Sequence, residues 1–250
     1  MIDFQWEQFL SIFIAITPPL LIVRYFYFKL ASPSRQKKLI YRLVAFGLII
    51  TIPTLSLEFL LRQMEKSFAL PLLINELTGA FLIAALCEES AKFLVTITAT
   101  FKNNNFSHTI NGIVYTIAVS MGFAQAENLL YLLRGGLGQA ILRTITALPL
   151  HALSAGIMGY YIGKTKFLTV RKEKYTNSFK GLLYVVMIHG TYNFLLATEP
   201  GYYLYAAFAV YILLIFIFLI FLNKIKTARN RDEKMRRQEM TNACLRMEII

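Results

Sequence analysis

Seven stretches of about 20 predominantly apolar residues, separated by short polar breaks, leave this chain few ways to fold. They cover residues 6–28, 39–61, 72–101, 110–133, 141–163, 179–197 and 202–222. A helix needs about 20 such residues to cross a bilayer core of about 30 Å. In hydrocarbon a chain must satisfy its own N–H and C=O groups, and these stretches are too long for barrel strands, so they predict transmembrane helices. The expected fold is all-α, a polytopic integral membrane helical bundle of about seven transmembrane helices. Composition agrees: 56% of the 250 residues are hydrophobic and 16% charged, with mean hydropathy +0.53. Those values argue against a water-soluble globule and against a disordered chain. Met1 to Leu10 carries Asp3 and Glu7 but no Lys or Arg, unlike the basic leader of a cleaved signal peptide, so the first helix is expected to be retained.

The net charge of +12 asks where the cations lie. Short cytoplasmic loops are enriched in Lys and Arg. Of the 26 cations, 21 fall on one side of the expected topology, in the breaks after the first, third and fifth spans and in the C-terminal tail. The break after the first span includes Lys29, Arg35 and Lys38, and that after the fifth includes Lys164, Lys172 and Lys174, with Arg24 and Lys180 at the adjoining span ends. Arg62, Lys66, Arg134 and Arg143 fall on the other side, and Lys92 lies inside a span. This count puts the N-terminus outside and the C-terminus in the cytosol. It divides the chain into a transmembrane domain, 1–223, and a basic cytosolic tail, 224–250, suited to lying on anionic lipid. The tail lacks the basic and aromatic surface of a nucleic-acid binder, so no nucleic acid is expected as a partner. Cys87 and Cys244, far apart, make no disulfide framework.

Polar side chains inside spans are costly, about 2.5–3.5 kcal/mol each at a helix centre on the insertion scale, and usually face a protein-lined or wet cavity. Glu88, Glu89 and Lys92 lie together in the third span, Glu127 and Asn128 in the fourth, His151 in the fifth, and His189 and Asn193 in the sixth. At about 1.5 Å rise per residue, all of them occupy a band from the middle to the outer half of the membrane, so one shared site is expected. Lys92 is placed to neutralise Glu88 at i,i+4 and Glu89 at i,i+3. Adjacent glutamates point about 100° apart, so one can face a cavity while the other supports it. Carboxylates and histidines gathered at low dielectric suit general acid/base work, and proton-relay transport uses the same residue types. Glu58 and Glu76 stand near the outer ends of their spans and are expected at the interface. Pro18, Pro19, Pro53 and Pro149 are expected to kink their spans, and Ala155, Gly159 and Gly163 form a small-residue stripe for close helix packing.

The run Glu88, Glu89, Ser90, Ala91, Lys92 reads EExxK, and Gly122, Phe123, Ala124, Gln125, Ala126, Glu127, Asn128 reads GFxxxEN. Leu148, Pro149, Leu150, His151 and then His189, Gly190, Thr191, Tyr192, Asn193 follow in order on successive spans. Over roughly residues 72–196 the chain resembles the PrsW family of bacterial membrane proteases, in the superfamily of the CAAX prenyl endopeptidases and bacteriocin-processing enzymes. It departs from the CAAX branch in carrying Glu127 where that branch usually has histidine, and Lys92 where that branch has arginine one residue on. The resemblance implies a multi-pass enzyme of the bacterial cytoplasmic membrane. Such an enzyme cuts a membrane-anchored protein near its extracytoplasmic face, as founding members make the first cut in a single-pass anti-sigma factor.

Peptide hydrolysis needs an activated water, a proton for the leaving amine and a donor for the oxyanion. The catalytic candidates are Glu88, Glu89, Glu127, His151 and His189. Glu88 or Glu89 is expected as base, helped by His151 or Glu127, with His189 and Asn193 at the oxyanion and Lys92 and Asn128 in support. Two versions stay open: water activation with no cofactor required, or Zn²⁺ held by Glu88, Glu127, His151 and His189. A proton-coupled transporter is the alternative outside the enzymes, and CAAX or leader-peptide processing the alternative in substrate.

Overall fold

The computed structural model describes residues 2–30, 37–197 and 200–247, and every element in them is helical. Arg35 of the cation count and residues 248–250 of the tail lie outside the described residues. The chain runs through α1 (Ile2–Leu30), α2 (Lys37–Lys66), α3 (Leu72–Leu77), a π-helical segment (Thr78–Ala85), α4 (Leu86–Thr100), α5 (Thr109–Ile145), α6 (Ala147–Lys166), α7 (Arg171–Leu196), a 3₁₀ turn (Pro200–Tyr202) and α8 (Tyr203–Met247). Four stretches are long and apolar enough to cross a membrane: Phe9–Leu30, Lys37–Lys66, Thr109–Lys166, which contains both α5 and α6, and Tyr203–Leu245. This is a membrane protein. The remaining long helices, the α3–α4 run and α7, are less apolar because they carry Glu76, Glu88, Glu89 and Lys92, and a basic first half with Arg171, Lys172, Lys174 and Lys180.

The core is built on α5 and α6. Val114, Ile117, Ala118 and Met121 of α5 and Leu150, Ile157, Met158 and Ile162 of α6 are almost fully buried. The small-residue stripe permits this: a Cβ on Gly159 would stand 2.7 Å from Ile113 Cα, so only glycine lets the two backbones meet there. Around this pair α1 and α2 pack one side and α7 and α8 the other, with outward-facing aromatic and aliphatic side chains such as Phe59, Tyr205, Phe208 and Ile215 well exposed. Exposed apolar surface of this kind is what a bilayer covers.

Pro18 and Pro19 sit within α1, and Pro53 within α2, without ending either helix. Three other features depart from the sequence expectations. Pro149 is not mid-span but in the first turn of α6, where a missing N–H costs no helical hydrogen bond. The stretch 141–163, read as one span, is split: 141–145 belongs to α5, and α6 starts after the single non-helical residue Thr146. α5 itself reverses at Gly136, whose φ of 66° is left-handed and therefore favours glycine. Residues 137–145 are thereby carried back toward the helix they left.

At the opposite end of α5, Asp232 of α8 accepts the backbone N–H groups of Thr109 at 2.6 Å and Ile110 at 3.0 Å. The carboxylate thus satisfies donors that a helix start leaves open and sits at the positive end of the helix dipole. α8 runs through position 223 into the basic tail without a break.

Candidate active site

Four helices deliver charged or ionisable side chains to one buried cluster. From α4, Glu89 and Lys92 are fully buried and Glu88 is 4% exposed. From α5 comes Glu127, from α6 His151 and from α7 His189, each less than 5% exposed. The π-helical segment ends three residues before Glu88, and such segments recur at functional sites.

Lys92 is the hub. Its ammonium donates to Glu88 Oε2 at 3.0 Å and to Glu89 Oε1 at 2.8 Å, and lies 3.1 Å from His151 Nδ1. It also stands 4.3 Å from the centre of the Phe123 ring, the aromatic of the GFxxxEN run, in a cation–π contact. An ammonium has no acceptor, so His151 Nδ1 accepts and the ring proton resides on Nε2. That nitrogen faces Glu127 Oε2 at 2.9 Å. Glu127 Oε1 lies 3.2 Å from Arg143 Nη2, and Arg143 Nε donates to Asn128 Oδ1 at 3.0 Å. Arg143 also stacks over Tyr131, 4.0 Å from the ring centre.

His189 is held from the other side. Its Nδ1 and Glu89 Oε1 are 2.8 Å apart, and a carboxylate only accepts, so the imidazole donates there. Nε2 of His189 is left facing Glu88 Oε1 at 3.9 Å. The two imidazoles meet edge to face with centres 5.1 Å apart.

A cavity of about 440 Å³ opens against this cluster. Glu88, Glu127, His151, His189 and Asn193 line it, whereas Glu89 and Lys92 stand behind the wall. The adjacent glutamates are thus in different positions: Glu88 is in the cavity, and Glu89 grips the histidine that reaches into it. Glu58 and Glu76, expected at the interface, also line the cavity, and Glu58 Oε1 is buried without a hydrogen-bond partner among the described residues. Sequence position gives depth along α2 but not the face that packs toward α4. Arg143, counted as an outer-loop cation, is 11% exposed and lies in the site. Its signal was the glycine-rich run Gly135, Gly136, Gly138, which marks a place where a helix can turn back.

The donor set fits a divalent metal. One ligand atom each from Glu88, Glu89, His151 and His189 lies within 4.8 Å of the other three. Imidazole with carboxylate is a zinc-type set, and a histidine whose second nitrogen is fixed by a carboxylate, as Glu89 fixes His189, is the usual arrangement behind a metal ligand. Glu127, placed in the metal set from the sequence, stands next to that quartet through His151.

The sequence profile of the PrsW family intramembrane metalloproteases matches residues 35–222. The chain belongs to this family. Among curated relatives, the protease PrsW of Geobacillus kaustophilus is 34% identical over 191 residues, 76% of this chain and 81% of the relative. That of Bacillus subtilis is 28% identical over 223 residues, 89% of this chain and 97% of the relative. That of Clostridioides difficile is 31% identical over 160 residues, 62% of this chain and 66% of the relative. No solved structure matches. Membership makes the protein an intramembrane peptidase, and all four stretches of the resemblance, from EExxK to the His189 run, lie inside the matched region.

Proposed function

We propose that this PrsW-family peptidase cuts a membrane-anchored protein near its extracytoplasmic face, and that its substrate class is the single-pass anti-sigma factor. The observation that carries the site is the cavity in which Glu88, Glu127, His151 and His189 converge within apolar helices. We place the enzyme in the bacterial cytoplasmic membrane with seven spans, the N-terminus outside, and 224–250 as a cytosolic tail beyond a catalytic unit of 1–223. Supporting this topology, the α3–α4 run and α7 fall short of span hydropathy mainly through the residues that build the cavity and through the basic start of α7.

Glu88 is the general base. Its Oε1 faces the cavity while Oε2 is held by Lys92, so the carboxylate is aimed without being covered. His151 Nε2–H, oriented by Lys92 behind and Glu127 beside it, donates to the developing oxyanion or the leaving amine. His189, with Glu89 fixing its ring, and Asn193 bind and orient the scissile peptide from the α7 side. Arg143 keeps Glu127 and Asn128 in place through the return of 137–145. In the version with metal, Glu88, Glu89, His151 and His189, the quartet whose ligand atoms lie together, would hold a zinc ion with Glu127 beside them, and the ion would supply Lewis acidity to the water and the scissile carbonyl.

The test is co-expression with a tagged single-pass anti-sigma factor. The wild type is expected to release a fragment cut near the outer face, and Glu88→Gln to leave the substrate whole. A Glu88→Gln protein that still cuts removes the base assignment, and a wild type that folds and cuts no membrane-anchored protein removes the substrate reading. Metal analysis decides the remaining step: stoichiometric zinc with loss of cleavage in chelator supports the metal version, and undiminished cleavage without zinc supports carboxylate and imidazole alone.

A further inference from the structure

A second cavity is larger than the catalytic one. About 780 Å³ in volume, it lies between α6, α7 and α8 at the basic end of the bundle, away from the glutamate cluster. Its polar wall carries Lys164, Lys172, Lys180 and Lys224 against one carboxylate, Glu173. Among the described residues none of these lysines forms an ion pair. Lys224 is nevertheless built in: it donates to Tyr161 Oη at 3.1 Å, and its ammonium stands 5.0 Å and 4.8 Å from the centres of the Tyr160 and Tyr161 rings.

The other wall is apolar. Leu183, Tyr184 and Met187 of α7 line it and are about half exposed, on the outward face of the helix. Met187 is two residues from His189, which turns it roughly 200° away, so this surface backs onto the catalytic face of α7. A surplus of unpaired lysines at one level, continuous with a bilayer-facing apolar strip, matches one chemistry: a phosphate headgroup with acyl chains attached. Basic pockets between transmembrane helices are where such headgroups bind.

We propose that this cavity is a binding site for an anionic phospholipid, with the headgroup phosphate between Lys164, Lys180 and Lys224 and the chains along Leu183 and Met187. The occupant braces the helices that carry His151 and His189. Asn177 already ties α7 to α6 at the same level, donating to Tyr161 O and Thr165 Oγ1, both at 2.8 Å. A lipid bound beside it adds α8 to that junction.

Native mass spectrometry and thermal melting of the full-length protein in neutral detergent, with added phosphatidylglycerol, phosphatidylcholine or inorganic phosphate, test this. Phosphatidylglycerol is expected to be retained and to raise the melting temperature, about tenfold more tightly than phosphatidylcholine, with inorganic phosphate giving no stabilisation. Lys172→Gln with Lys180→Gln, both exposed and free of packing roles, weakens retention several-fold, and Lys164→Gln with Lys224→Gln removes it. Lys226→Gln, outside the cavity on the same α8, leaves it unchanged. Equal retention of the two lipids, equal stabilisation by inorganic phosphate, or an equal loss with Lys226→Gln overturns the proposal.

Discussion

The two ends of the α6–α7 pair are both rich in charge and handle it in opposite ways. At one end Lys92, Glu88, Glu89, Glu127 and Arg143 neutralise each other inside the protein, with the two histidines threaded between them. At the other, Lys164, Lys172 and Lys180 stand around an open cavity with no ion-pair partner among the described residues. Buried ion pairs rarely add stability over well-packed apolar side chains, because removing two charges from water costs several kcal/mol per ion. A network this size is therefore better explained by the chemistry it organises than by the fold it holds. Open lysines cost little and leave their charge available to a partner.

The largest expected effect follows from breaking the closed network at its hub. Lys92→Met leaves two buried carboxylates without the ammonium they share and removes the donor that sets the His151 tautomer. We expect a loss of about 3–5 kcal/mol together with loss of cleavage. Adding Glu89→Leu should recover part of the stability and none of the activity. A Lys92→Met protein that resists denaturant as well as wild type would show that the network is not held by this ammonium.

The next effect separates neighbours. Glu88→Gln keeps size and shape, and we expect cleavage to fall about 10²–10⁴-fold with little change in melting. Glu89→Gln weakens both the grip on His189 and the ion pair with Lys92, and a loss of about 10–100-fold is expected, in line with other residues that orient a functional histidine. Single-turnover assays on both variants rank them. Equal losses would mean that the cavity does not distinguish the two carboxylates.

That distinction also marks how far the sequence could be read. Depth was legible, since a helix advances a fixed rise per residue, so Glu88, Glu127, His151 and His189 could be placed in one band before any contact was known. Lys92 at i,i+3 and i,i+4 was legible for the same reason. Azimuth was not: it depends on how α2 packs on α4 and on the π-helical segment, so Glu58 was placed at the interface when it lines the cavity. The fold-back at Gly136 was also hidden, because 137–145 has the apolar look of the start of a span, and with it went the role of Arg143. The span count was least legible where function lies, since each polar residue added to α4 lowers the hydropathy that announces a span.

Arg143 offers the test of that fold-back. With Arg143→Ala, Asn128 Oδ1 loses its donor and Glu127 its guanidinium, and the cost is expected at about 2 kcal/mol, with weaker cleavage. Arg134→Ala, in an exposed side chain just before Gly136, should change neither; denaturant titration of both variants compares them. Equal effects would mean that position 143 contributes only general charge. Smaller again is the effect at Asp232, whose carboxylate caps α5 from the C-terminal extension of α8. Asp232→Ala should cost about 1 kcal/mol, the usual loss for a helix-start acceptor, and should loosen hydrogen-exchange protection at Thr109 and Ile110 before any other part of α5.

The smallest effect is expected farthest out on the same helix, where the comparison between closed and open charge reaches its limit. Arg237 Nη2 donates to Glu233 Oε1 at 2.6 Å, one turn apart, with both side chains at least half exposed. That hydrogen bond, with the charge of the guanidinium, holds the Glu233 carboxyl below its ordinary value. A lowered carboxyl favours the folded helix only above the ordinary carboxylate range, and the preference is lost as pH falls through the lowered value. Because both groups stay in water, screening removes most of the energetic consequence. Arg237→Ala should therefore return Glu233 to the ordinary carboxylate range in an NMR titration while leaving the melting temperature where it was. A drop in melting comparable to that of Asp232→Ala would show that this solvated pair, unlike the other exposed charges, belongs with the cluster that holds the bundle together.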